Sequence, residues 1–118
     1  SHSLGIADSV TVLARSAAEA DAAATLLANA VDLPGHPAIT RAPARDISPD
    51  SDLGDLPITT GVGVLTPPDI DRALDTGVRL AESFRARNLI IGALLTLQDT
   101  TRTVGDLPLL QQKAPAHA

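Results

Sequence analysis

The sequence predicts an α+β fold: two helices packed on one face of a mixed sheet, completed by a separate N-terminal fragment. Three observations lead there. Strand-like and helix-like patterns alternate in the order β-α-loop-β-α-β-β. The run LIIGALLTL at 89–97 is apolar on both faces, as a strand central in its sheet must be. The core is thin, because Phe84 is the only aromatic among 118 residues, which leaves Leu, Ile, Val and Ala to supply the buried area. A unit of this size with so little large apolar surface favours a partner chain or an oligomer, the alternative being a small alanine-packed domain that stands alone.

Each element follows from its own signal. Residues 9–14 alternate, with Val10, Val12 and Ala14 on one side, and read as a half-buried strand. Ser16 followed by Glu19 is a capping box, and it opens an alanine-rich helix that runs to about Val31. Residues 33–57 hold five prolines and two glycines with little periodicity, and read as one long connection. Residues 58–65, ITTGVGVL, form a strand whose Gly61 and Gly63 share a face, which suggests close approach of another backbone. Thr66, Pro67 and Pro68 start a second helix, with Thr66 as N-cap. Its apolar stripe is Ile70, Ala73, Leu74, Val78, Ala81 and Phe84, and Asp75–Arg79 is an i,i+4 pair on the wet face. Asn88 is the expected C-terminal cap. After 89–97, residues 98–101 turn the chain and 102–104 return as a short edge strand.

Composition excludes several functions. The net charge of −5 lacks the basic footprint of a nucleic-acid or anionic-membrane binder. Without cysteine there is no thiol catalysis, disulfide or thiolate metal site. No apolar run spans a bilayer, and a cytoplasmic location is expected. The chain also has no Met, and removal of something before Ser1 is expected.

Residues 3–14, SLGIADSVTVLA, resemble a segment of an uncharacterised bacterial and archaeal family distantly related to the ApbE-type flavin transferases. The likeness continues through 19–25 and 27–31, and resumes more loosely at 50–55 and 89–95. It implies that residues 1–107 are the C-terminal half of an ApbE-like α+β domain, with 108–118 expected to be a flexible tail. It further implies that a glycine-rich first half, with most of the flavin-holding residues, precedes the matching stretch in such proteins. Flavin transfer is therefore not carried over to this chain alone.

The candidate chemistry begins at Ser1. The sequence starts in mid-motif, and a self-cleaved precursor would explain this. In such enzymes a Ser, Thr or Cys attacks the preceding peptide bond, and the freed α-amine becomes the base. An α-amino pKa of about 8 suits that task at neutral pH. The expected function is an N-terminal-nucleophile hydrolase of an amide-type bond, with small cyclic amides among the candidate substrates, that requires no cofactor. Its expected partners are an N-terminal fragment of the same precursor and a small-molecule substrate, within a higher oligomer. His2, Ser3 and Asp8 are weaker candidates for orienting substrate or amine, and a turn is the simpler role for Asp8.

The alternative is a non-hydrolytic flavin- or nucleotide-binding protein that uses Mg²⁺. Asp21, Thr25 and Asn29 are spaced by four on one helix face, and Asp21 with Thr25 looks like the Mg²⁺-binding element of the flavin transferases. A wet helix face is the ordinary reading of that stripe. The acidic run with Asp46, Asp50, Asp52 and Asp55 lacks the closing glutamate of a calcium loop and reads as a solvated turn. Thr59 and Thr60, beside Gly61, could line a pocket, and strand-surface threonines are the ordinary reading.

Overall fold

The computed structural model describes residues 4–47, 50 and 54–105. Strand β1 (Ser9–Leu13) leads into helix α1 (Ala17–Ala30). Strand β2 (Ile39–Pro43) and the single-turn helix α2 (Ala44–Ile47) follow, then strand β3 (Pro57–Val62). Helix α3 (Pro67–Ala86) precedes the hairpin of β4 (Gly92–Leu97) and β5 (Thr100–Gly105).

The α+β class stands, but the sheet is not mixed. Among the described residues the strands form two antiparallel sheets, one ordered β1-β4-β5 and the other β2-β3. The physical reason lies in the connections. Gln98 and Asp99 alone join β4 to β5, and so tight a turn permits only antiparallel pairing. Both residues have positive φ, 45° and 68°, the twist-matched hairpin geometry usually left to Asn and Gly. As its apolar run requires, β4 is central. Ser9 faces Thr96 and Leu13 faces Gly92 on one side, while Leu97 faces Thr100 and Gly92 faces Gly105 on the other.

Caps set the helix ends. The Ser16 hydroxyl accepts from the Glu19 amide at 3.1 Å and donates to the Glu19 carboxylate at 3.2 Å. The Thr66 hydroxyl accepts from the Asp69 amide at 3.3 Å. Beyond α3, Asn88 has φ 60°, its amide reaches Arg85 O at 3.0 Å, and the Leu89 amide reaches Phe84 O at 2.8 Å. This is the left-handed C-terminal stop in full. The expected Asp75–Arg79 ion pair is replaced, because the Asp75 carboxylate takes Arg102 of β5 at 3.1 Å and Asp71 takes the same guanidinium at 2.5 Å.

The core lies between the two longer helices and the inner face of β1-β4-β5. Leu27 and Val31 meet Ala73, Leu74 and Ala81 of α3 and Ala93, Leu95 and Leu97 of β4, all fully buried. Each such leucine contributes roughly 1.5–3 kcal/mol. A side chain on Gly77 would meet Val31 Cγ2 at 2.5 Å and Leu95 Cδ2 at 2.7 Å, so this glycine sets how closely α3 approaches.

The long connection is not structureless. Residues 39–47 supply β2 and α2, and β2 pairs with β3 through a register shift between Thr40 and Arg41. The backbone approach expected at Gly61 and Gly63 is not tight: a Cβ on Gly61 would meet the Thr40 side-chain Oγ1 at 2.8 Å, and one on Gly63 would meet Ala38 O at 3.4 Å, an ordinary contact.

Candidate functional site

The most densely hydrogen-bonded polar cluster surrounds the backbone of residues 4–6. Leu4 N–H donates to Asn29 Oδ1 at 3.2 Å, and Leu4 O accepts from Arg41 Nη1 at 2.9 Å. Gly5 O accepts from Thr59 Oγ1 at 2.7 Å, and Ile6 N–H donates to Val31 O at 2.8 Å. The end of α1, β2 and β3 thus hold one short segment from three sides. Gly5 is required there by space: a Cβ would stand 2.1 Å from Ala28 O and 2.8 Å from Val31 O.

Arg41 organises the cluster. Its Nη1 also reaches Thr59 Oγ1 at 3.2 Å, and its Nη2 forms an ion pair with Asp32 Oδ1. Both charged side chains are 20% exposed. They line a groove of about 330 Å³ with Leu4, Pro34, Gly35, Leu56 and Pro57. The walls are apolar and the polar contribution is a neutral ion pair.

A second polar cluster ties the α1–β2 loop to the start of α3. His36 Nδ1 accepts from the Ala38 amide at 3.0 Å, so its Nε2 carries the hydrogen donated to Asp69 Oδ2 at 2.8 Å. Asp69 Oδ1 takes Arg72 at 2.9 Å. The His36 hydrogen bond, chiefly, holds the Asp69 carboxyl below its ordinary value; partial burial opposes this, and Thr66 and Arg72 add to it. Because both ring nitrogens are engaged, this pair reads as a structural latch.

Ser1, His2 and Ser3 lie outside the described residues, as do Asp52 and the tail from 108. Asp8 holds a turn: its Oδ2 accepts from the Gln98 amide at 2.7 Å. The Gln98 side chain in turn donates to Gly63 O at 2.8 Å and accepts from Leu65 N–H at 3.0 Å. Asp21 and Thr25 sit on the exposed face of α1, where the Thr25 hydroxyl donates to Asp21 O at 3.1 Å. With the Thr25 hydroxyl bonded back to its own helix, one exposed carboxylate is left on this face, and no second described ligand stands beside it to share Mg²⁺. No group of three or more His, Asp or Glu among the described residues is arranged to hold a metal ion. These residues alone do not fit Mg²⁺. Asp55 forms a salt bridge with Arg45 at 2.8 Å, as a solvated turn would.

The family model described as AbpE bacteria matches residues 1–106, nearly the whole chain. The chain belongs to the AbpE bacteria family. No curated protein and no solved structure matches it. No helix among the described residues is long and apolar enough to cross a membrane. In this AbpE bacteria chain, sequence reasoning missed Asp32 and Arg41, which join Thr59 in the cluster, and Asn29 belongs to it rather than to a wet stripe. A lone arginine in the largely apolar stretch between Pro37 and Pro43, and Thr59 beside Gly61, were the available signals.

Proposed function

We propose that this chain carries the catalytic end of an amide hydrolase in which Ser1, made N-terminal by cleavage of the bond before it, is the nucleophile. The observation that carries the proposal is the clamp on residues 4–6 beside the Arg41–Asp32 groove. Three extended residues span about 10 Å, and in this proposal the Ser1 nucleophile works within that distance of the groove that Leu4 lines. A nucleophile at the end of a held segment gains from orientation what a loose terminus lacks.

In the proposed reaction the Ser1 hydroxyl adds to the amide carbonyl carbon while the α-amine takes its proton. The amine leaving group then departs with that proton, leaving an ester on Ser1. Water, deprotonated by the same amine, hydrolyses the ester and restores the hydroxyl. Each N–H donor to the oxyanion is typically worth about 3–4 kcal/mol. Distant kinship with the ApbE-type flavin transferases is part of the proposal, supported by the resemblance of residues 3–14, and brings no flavin transfer with it. An N-terminal fragment of the same precursor is the proposed partner. Its support is the open sheet face of Ser9, Thr11, Leu13, Leu94, Thr96, Thr101 and Thr103, which bears no charge and which no described element covers.

Ser1→Ala in the gene product tests the reading by intact mass and N-terminal sequencing. The expected result is one uncut polypeptide without turnover, whereas cleavage at the same bond would remove the main support for Ser1.

A further inference from the structure

Arg41 and Asp32 line the same groove, and among the described residues each keeps unused hydrogen-bonding capacity. Leu4 O, Thr59 Oγ1 and Asp32 Oδ1 engage three of the five guanidinium N–H groups. Asp32 engages only Oδ1 among the described residues. The wall therefore offers donors and an acceptor side by side, with no net charge. A ligand carboxylate would meet Asp32, and a ligand ammonium would meet Arg41. A neutral group with C=O beside N–H meets neither repulsion: its oxygen accepts from Arg41 and its N–H donates to Asp32. Leu4, Pro34, Leu56 and Pro57 provide the apolar contact that a small ring needs.

We infer that this groove binds a small neutral cyclic amide or imide, with Arg41 and Asp32 as its specificity-determining pair. Its relevance to catalysis rests on the proposed hydrolase reading; the binding itself does not require that Ser1 react. Glutarimide fits the donor–acceptor pair, whereas glutarate, of similar size, presents charge to Asp32.

Isothermal titration calorimetry on the Ser1→Ala protein separates the two ideas. Glutarimide should bind saturably and glutarate at least about tenfold more weakly, and Asp32→Asn should weaken glutarimide by about tenfold, the worth of one charge-assisted hydrogen bond. Asp32→Asn keeps an oxygen for Arg41, and an unchanged circular dichroism spectrum verifies the fold. Arg41→Lys, which keeps the charge and loses the fork, should weaken glutarimide similarly. No saturable glutarimide binding, equal binding by Asp32→Asn, or tighter binding of glutarate would each overturn the inference. Binding without turnover by the wild-type protein would instead overturn the hydrolase reading and leave this one standing.

Discussion

Replacing Gly5 by Ala tests the clamp directly. The added Cβ would sit 2.1 Å from Ala28 O, 2.8 Å from Val31 O and 3.0 Å from Asn29 Cα. All three neighbours are backbone atoms of α1 or its end, so no side chain can swing away. Restoring ordinary contact moves the segment by about 1 Å. The 2.8 Å bond from Ile6 N–H to Val31 O then breaks, and the bonds from Leu4 to Asn29 and from Gly5 to Thr59 stretch beyond reach. Each lost bond costs about 0.5–1.5 kcal/mol, and overpacking about 1–3 kcal/mol. The expected loss is about 3 kcal/mol. In urea, with a slope of about 1–3 kcal/mol/M for a small protein, the unfolding midpoint should fall by about 1–3 M. Gly35→Ala is the control: nothing stands within 4 Å of its Cβ position, and φ of 77° sets its cost at about 1–2 kcal/mol. A Gly5→Ala midpoint equal to wild type, or lowered no more than that of Gly35→Ala, would refute the packing of this segment against α1.

Three further outcomes are expected. Because the His36 hydrogen bond lowers the folded pKa of Asp69, its stabilisation is present above the ordinary carboxylate range and is lost as pH falls through the lowered value. Thermal melts from pH 7 downward should show the advantage of wild type over Asp69→Asn shrinking below about pH 4. Gln98→Glu sets a carboxylate oxygen against Gly63 O, where the amide now donates at 2.8 Å, and should cost about 1–3 kcal/mol by thermal melting. The double change Asp32→Leu with Arg41→Met removes the ion pair, which contributes little net stability, together with the Arg41 bonds to Leu4 O and Thr59 Oγ1, so it should cost about 1–3 kcal/mol by thermal melting while abolishing glutarimide binding in the titration above.

What the sequence disclosed was local. Ser16 with Glu19, Thr66 with Pro67, and Asn88 each act within a few residues, and all three sit where their chemistry places them. The doubly apolar run declared β4 central because burial on both faces leaves no polar alternation. The clamp was hidden for the opposite reason. Arg41 meets Leu4 across 37 residues and Thr59 meets Gly5 across 54, and no periodicity encodes such pairs. Strand β2 was hidden too: Ile39-Thr40-Arg41-Ala42-Pro43 has an inward arginine and a terminal proline, and a register shift breaks its alternation. Asn29 shows the same limit, since its spacing from Thr25 suggested a shared face while its partner is the Leu4 amide.

The polar network around residues 4–6 stands apart from the rest of the molecule. Among the described residues the core is wholly aliphatic apart from Phe84, and no polar or charged side chain is buried in it. Fold stability therefore comes from Leu27, Leu74, Leu95 and their neighbours, and would persist with apolar groups in place of Arg41 and Asp32. For the ion pair taken by itself, removing one partner is costly and removing both is nearly neutral; what Arg41 adds beyond the pair is its hold on Leu4 O and Thr59 Oγ1, an arrangement that specifies geometry more than stability. What it specifies is the position of one backbone segment relative to one groove. Asn29, Arg41 and Thr59 stand on α1, β2 and β3, so the position of Leu4 is inherited from rigid elements rather than from a loop. Rigid support of this kind is what a reacting group or a bound ligand needs, because displacement by about 1 Å is enough to uncouple either from its partners.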